Sequence, residues 1–190
     1  MKTKKHKRVF QWWWVVVPAV FVVALVAYGM VRRSTQQFTN SSYQVYEDSR
    51  YGFTVEYPRN WEVAKDTHVF ENGDVVAFQI KGPTQKRYTE FIDGARFIVS
   101  KPFTIDTDLE IWMKGYFDDQ AKFSKLTLAK YPFEAVEDCS QFGCMQYVFT
   151  TINGETYGVV LFAQGTSKEK AAYENALLYI LKSLTFTKDY

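Results

Sequence analysis

Residues 145–164 read MQYVFTTINGETYGVVLFAQ, two apolar-rich runs on either side of Asn153-Gly154. Asn-Gly suits the two central positions of a type I′ turn, which need positive φ and whose twist matches that of paired strands. The stretch therefore specifies a two-residue β-hairpin in an antiparallel sheet. Tyr147 and Phe149 alternate with Val148, and Ile152 follows, so apolar residues lie on both faces. A sheet with two apolar faces needs a covering layer on each.

The remaining segments supply strands and layers. YQVYE and GFTVEYP form a short pair with a turn around Ser49 to Gly52, closed by Pro58. In this entry stretch Phe53, Val55 and Tyr57 point to the core, and Trp61 begins a new segment. DVVAFQIKG and ARFIVSKPF are longer strands, separated by the surface loop GPTQKRYTEFIDG. KLTLAKY and FEAVEDC precede the hairpin. Two stretches change to helical period. Thr107 and Glu110 read as a T-x-x-E capping box ahead of Leu109, Trp112, Met113, Tyr116 and Phe117. Thr166 and Glu169 repeat the signal ahead of Tyr173, Ala176, Leu177, Ile180, Leu181 and Leu184, with a last strand around LTF. Hairpins without crossover units predict an α+β fold, an antiparallel sheet of about six strands flanked by helices.

The N-terminus is of another kind. No charged residue occurs from Val9 to Val31. As a helix this run measures roughly 34 Å, against about 30 Å for a hydrocarbon core. Trp12, Trp13 and Trp14 sit at one end, where indole rings favour the headgroup zone. The predicted organisation is a basic cytoplasmic tail at 1–8, a transmembrane helix at 9–31, a polar linker at 32–42 and an extracytoplasmic domain at 43–190. A cleaved signal peptide is the competing reading, but the run is longer than an ordinary signal core. Five basic residues before the span and two after it place the N-terminus inside. This predicts a single-pass protein of the cell (plasma) membrane. All 21 acidic residues lie beyond the span, leaving 16 of the 23 basic residues and a net charge of −5 there. An acidic domain has no general attraction for phosphate backbones, which argues against nucleic acid as a partner.

Cys139 and Cys144 are the only cysteines. Across a tight loop they are expected to form a disulfide in an oxidising compartment, with two free thiols as the alternative. A zinc site would need further ligands, and the domain offers one histidine, His68. No nucleophile-elbow, zincin or phosphate-loop motif occurs, and adjacent acids such as Asp118-Asp119 and Glu137-Asp138 point to different sides. No catalytic residue, metal or cofactor is assigned, and the chain is expected not to be an enzyme. With 16 Phe, 13 Tyr and 5 Trp, aromatics near predicted loops are the candidate ligand or partner contacts: Trp61, Tyr88, Phe91 and Phe103. For Trp61 the alternative is a place in the core.

The entry stretch YGFTVEYPRNWEV and the ending YENALLYILKSLTFT resemble the PsbP-like family, in its bacterial envelope form. The resemblance covers Tyr43 to Thr187 and implies an α-β-α sandwich around a six- or seven-stranded antiparallel sheet. It also implies a binding or assembly module, since the family comprises photosynthetic extrinsic subunits and bacterial envelope proteins. None of the family's metal-ligand positions matches a residue here. The function expected is a membrane-anchored, non-catalytic module for a membrane-proximal protein partner; the alternative is binding of an envelope glycan or small ligand, and a hydrolase is third.

Overall fold

In the computed structural model the described residues are 42–64, 67–86, 90–118, 121–128, 131–140 and 143–187. The Asn-Gly hairpin forms as its sequence dictates. β8 (Gly143–Ile152) pairs antiparallel with β9 (Glu155–Gln164), and Ile152 faces Glu155 across the turn. Asn153 and Gly154 take φ of 52° and 82°.

This hairpin is the middle of a seven-stranded antiparallel sheet. Its order is β3 (Glu62–Ala64), β4 (Asp74–Lys81), β5 (Gly94–Ser100), β9, β8, β7 (Tyr131–Ser140) and β6 (Lys122–Leu128). The seventh strand, the upper of the six or seven that the resemblance implies, comes from the three residues after Trp61, which pair with β4. A second sheet of three strands joins β1 (Tyr43–Asp48), β2 (Phe53–Pro58) and β10 (Thr185–Phe186), with β2 central. Its turn holds because Asp48 accepts from the backbone N–H of Gly52 and, through Oδ1, from that of Tyr51, at 2.8 and 2.9 Å. Phe53, Val55 and Tyr57 are buried as expected, and so is Trp61.

The two faces of the large sheet are covered unequally. α2 (Ser167–Ser183) packs Tyr173, Leu177, Ile180 and Leu181 onto one face, alongside the small sheet. Ala176 is only half-buried. The Glu169 carboxylate accepts from the Thr166 backbone N–H at 3.2 Å and its hydroxyl at 2.6 Å, at the capping box read from the sequence. On the opposite face lies α1 (Leu109–Tyr116), of which Met113 alone is fully buried, against Val136 and Phe149. The arrangement is an α-β-α sandwich.

At α1 the sequence expectation is corrected. Asp108, not Thr107, is the N-cap, and its Oδ1 accepts from the Glu110 N–H at 2.9 Å. The Asp108 carboxylate, one residue later, satisfies one of the free helix N–H groups and starts the helix there. Glu110 is thereby released to ion pairs with Lys114 at 2.7 Å and Lys125 at 3.0 Å. Lys125 also reaches Glu134 at 3.1 Å, so the exposed network ties α1 to β6 and β7.

Among the described residues no helix is long and apolar enough to cross a membrane. The tail at 1–8, the span at 9–31 with Trp12, Trp13 and Trp14, and the linker up to Ser41 lie outside the described residues.

Two predictions follow from this geometry. A Cβ at Gly154 would meet no atom within 4 Å, so Gly154→Ala tests backbone conformation alone. It should cost about 1 kcal/mol in a denaturant titration, because alanine resists positive φ. The second concerns Glu110, whose carboxyl is drawn down to about 2, first by its hydrogen bond to Lys114 and then by Lys125. A carboxyl lowered in the folded state stabilises above its ordinary range, and that contribution is lost as pH falls through about 2. Carbon-13 NMR should show the low midpoint in the wild type and a higher one in Lys114→Ala. An unshifted wild-type midpoint would disprove the network.

Candidate functional site

Seven strands at about 4.8 Å spacing make a sheet about 29 Å across. α1 has eight residues, about 12 Å of helix about 10 Å wide, and cannot cover such a face. Two loops take up part of the remainder. Asp74 accepts from the backbone N–H of Val69 at 3.1 Å and of Phe70 at 3.0 Å, which holds the first loop against the sheet. Phe70 then stands edge-on to Tyr147 and Phe149. It fits there because residue 158 is glycine: a Cβ would sit 2.7 Å from the Phe70 ring and 2.8 Å from Phe149.

The second loop hangs on Asp93, which is 1% exposed. Its carboxylate accepts from the Thr84 N–H at 2.9 Å, the Thr84 hydroxyl at 2.6 Å and the Tyr173 hydroxyl at 3.3 Å. Burial, and then the charge of Asp93, pushes the Tyr173 hydroxyl pKa upward. Gln85 spans the loop, accepting from the N–H of Ile92 and Asp93 and donating to the Glu90 carbonyl. The result presents Phe91 against the sheet and leaves Ile92 54% exposed.

Among the described residues, two adjoining hollows remain on this face. The smaller, about 190 Å³, is aromatic: Phe70, Phe103, Trp112, Tyr116, Tyr147 and Phe149 line it. Trp112 stacks on Tyr116 with centroids 5.1 Å apart, and Phe103 lies 5.2 Å from Trp112. Phe103 is held there by paired backbone hydrogen bonds with Thr156, at 3.0 and 2.7 Å. Tyr116 is 48% exposed at the rim. The larger hollow, about 500 Å³, has Phe91, Ile98, Met145, Val160 and Phe162 as apolar walls, with Arg96, Glu90 and Gln164 among them. A third cleft of about 480 Å³ lies on the α2 side, between Lys122, Glu137, Gln146, Lys170 and Glu174.

The sequence-predicted residues are thus divided. Phe91 and Phe103 line different hollows of one face. Trp61 is 5% exposed and lines none of the three. Tyr88 lies outside the described residues. Cys139 and Cys144 face each other in the β7–β8 ladder and are bridged, with Cα atoms 4.0 Å apart; they sit in the strand ends and not in the loop itself. With Glu137 they are the only group of three potential metal donors among the described residues, but bridged sulfurs are not thiolates. His68 is exposed and lines none of these hollows. Phe70, Arg96, Met145 and Phe162 were not singled out from the sequence, and Tyr147 was read only as an apolar strand residue. Arg96 carried a signal, as the one charge inside the apolar run ARFIV.

No family model and no curated protein matches this sequence. Among solved structures, the chain is similar to the cyanobacterial PsbP (CyanoP) of Synechocystis sp. PCC 6803, at 15% identity and a TM-score of 0.49. That match covers 77% of this chain and 93% of the other. It is also similar to LpqN of Mycobacterium tuberculosis, involved in cell envelope biogenesis, at 14% identity, 78% and 92% coverage and a TM-score of 0.47. A third is the Ran-binding protein MOG1P of Saccharomyces cerevisiae, at 10% identity, 78% and 97% coverage and a TM-score of 0.47. The solved structures that this chain is similar to include a PsbP, the family its entry and closing motifs resemble.

Proposed function

We propose that this chain is a membrane-anchored, extracytoplasmic binding domain that holds a protein partner against the aromatic surface around α1 and performs no chemistry of its own. The observation that carries this reading is the open Trp112–Tyr116 stack, backed by Phe103 and Tyr147. Rigid aromatics give large contact area at low entropic cost, and they dominate the energetics of protein interfaces. Ile111, 64% exposed, adds apolar surface on the same short helix. The charge-free run from Val9 to Val31 supports the anchor. A short tether keeps the domain at high effective concentration for membrane-proximal partners. A second reading, binding of a small ligand, is favoured by the 500 Å³ hollow beside this surface, whose size suits a small molecule.

Crosslinking tests the contact surface. A photoreactive phenylalanine placed at Tyr116 should yield a discrete protein adduct in native membranes, whereas one at Glu174 on α2 should not. Trp112→Ala should lower the yield at least tenfold, the scale of a hot-spot aromatic. Equal adducts from both positions, or none from Tyr116, would remove the proposal. The anchor has its own check: N-terminal sequencing of the membrane-extracted protein should begin at residue 1 or 2. A start near Met30 would show a cleaved signal instead.

A further inference from the structure

The larger hollow contains one group that its apolar walls do not require. Arg96 sits half-buried in the floor, placed there by strand register between Gln79 on β4 and Phe162 on β9. Its Nε donates to Oε1 of Gln79 at 3.2 Å, and its guanidinium carbon lies 4.2 Å from the Phe91 ring centroid. Both contacts fix the orientation of the group and neither neutralises its charge. Among the described residues no carboxylate forms an ion pair with it. Burial alone lowers its pKa, the sign expected of a cation without a counter-ion. A guanidinium has five N–H donors, of which Gln79 takes one. Among the described residues no buried side-chain nitrogen lacks a partner, so the remaining donors of Arg96, which lines the hollow, are accessible.

A fixed, partly desolvated fork of donors surrounded by Ile98, Val160, Phe162 and Met145 describes a two-part ligand. We propose that this hollow binds a small amphiphile carrying one carboxylate on an apolar body, with the carboxylate on Arg96 and the body over Ile98, Val160, Phe162 and Met145. A planar carboxylate matches the guanidinium fork in shape. One negative charge matches one cation; a phosphate dianion would bring a second, beside Glu90 in the same lining. The inference rests on the small-ligand reading of this hollow and is independent of the α1 contact surface.

The full chain in lipid nanodiscs, titrated calorimetrically against empty nanodiscs, tests it with probes sharing one apolar body. 4-Phenylbutyrate should bind at least tenfold more tightly than 4-phenylbutanol, with 4-phenylbutylamine weaker than the alcohol. The phosphonate analogue should bind no more tightly than the carboxylate. Arg96→Gln should erase the preference for the acid, and Arg96→Lys should keep part of it, with thermal melts confirming the fold of each. Should Arg96→Gln not fold, amide shifts of the wild type decide: the acid must move Arg96 and Phe162 and leave Thr54 in place. Equal affinity for all head groups, tighter binding of the phosphonate, a preference surviving in folded Arg96→Gln, or shifts centred elsewhere would each overturn the proposal. Crosslinking from Tyr116 does not enter this readout, so the two surfaces can fail separately.

Discussion

The structure depends on one mismatch of size. A seven-stranded sheet with apolar residues on both faces requires two covers, and the chain supplies them unequally. α2, with 17 residues, runs about 25 Å along its face and is joined there by the three-stranded sheet. α1 has eight residues and reaches mainly β8. Packing density rules out leaving the rest of the face bare and flat. Two loops fill it partially, and the hollows are what they leave. The candidate sites are therefore a consequence of layer geometry, with their lining chosen by strand register.

Loops can do the work of a missing helix only if their backbone groups are satisfied near an apolar surface. Two aspartates meet that demand. Asp74 accepts two backbone N–H groups of the Val69–Phe70 segment, and Asp93 collects donors from Thr84 and Tyr173. Asp93 is almost wholly buried, and a buried carboxylate is tolerable only with several hydrogen-bond donors around it. Gly82 belongs to the same device, because a Cβ there would collide with the Asp93 carboxylate. Through Tyr173 the cluster links the loop on one face of the sheet to the helix on the other.

What could be read from the sequence was what local chemistry decides. Asn153-Gly154 announces its turn, and Thr166 with Glu169 announces the start of α2. The alternation of Phe53, Val55 and Tyr57 shows which side of β2 is buried. α1 began one residue late because Asp108 outcompeted Thr107, a contest between two adjacent capping residues that spacing alone does not resolve. β3 is three residues long and exists only by pairing with β4, so it has no local signal. The site was harder still. Arg96, Phe162 and Met145 come from three strands separated by up to 66 positions, and only the pairing of β5 with β9 and of β9 with β8 sets them in one row. Trp61 had two readings, a loop contact and a place in the core, and its burial decides for the core.

The two hollows differ in chemistry and share a wall. One is ringed by aromatics, and the other sets one cation among aliphatic, aromatic and sulfur-bearing side chains. Val69 lines both, and Phe70, the next residue, lines the aromatic one. Their backbone N–H groups rest on the same Asp74 carboxylate. An occupant that displaces Val69 from either side must pull against those hydrogen bonds and alter the surface presented to the other. Coupling between sites is reciprocal by thermodynamic necessity: were the proposed ligand at Arg96 to shift this segment and change the affinity of the proposed partner at Trp112, the partner would change the ligand's affinity by the same factor.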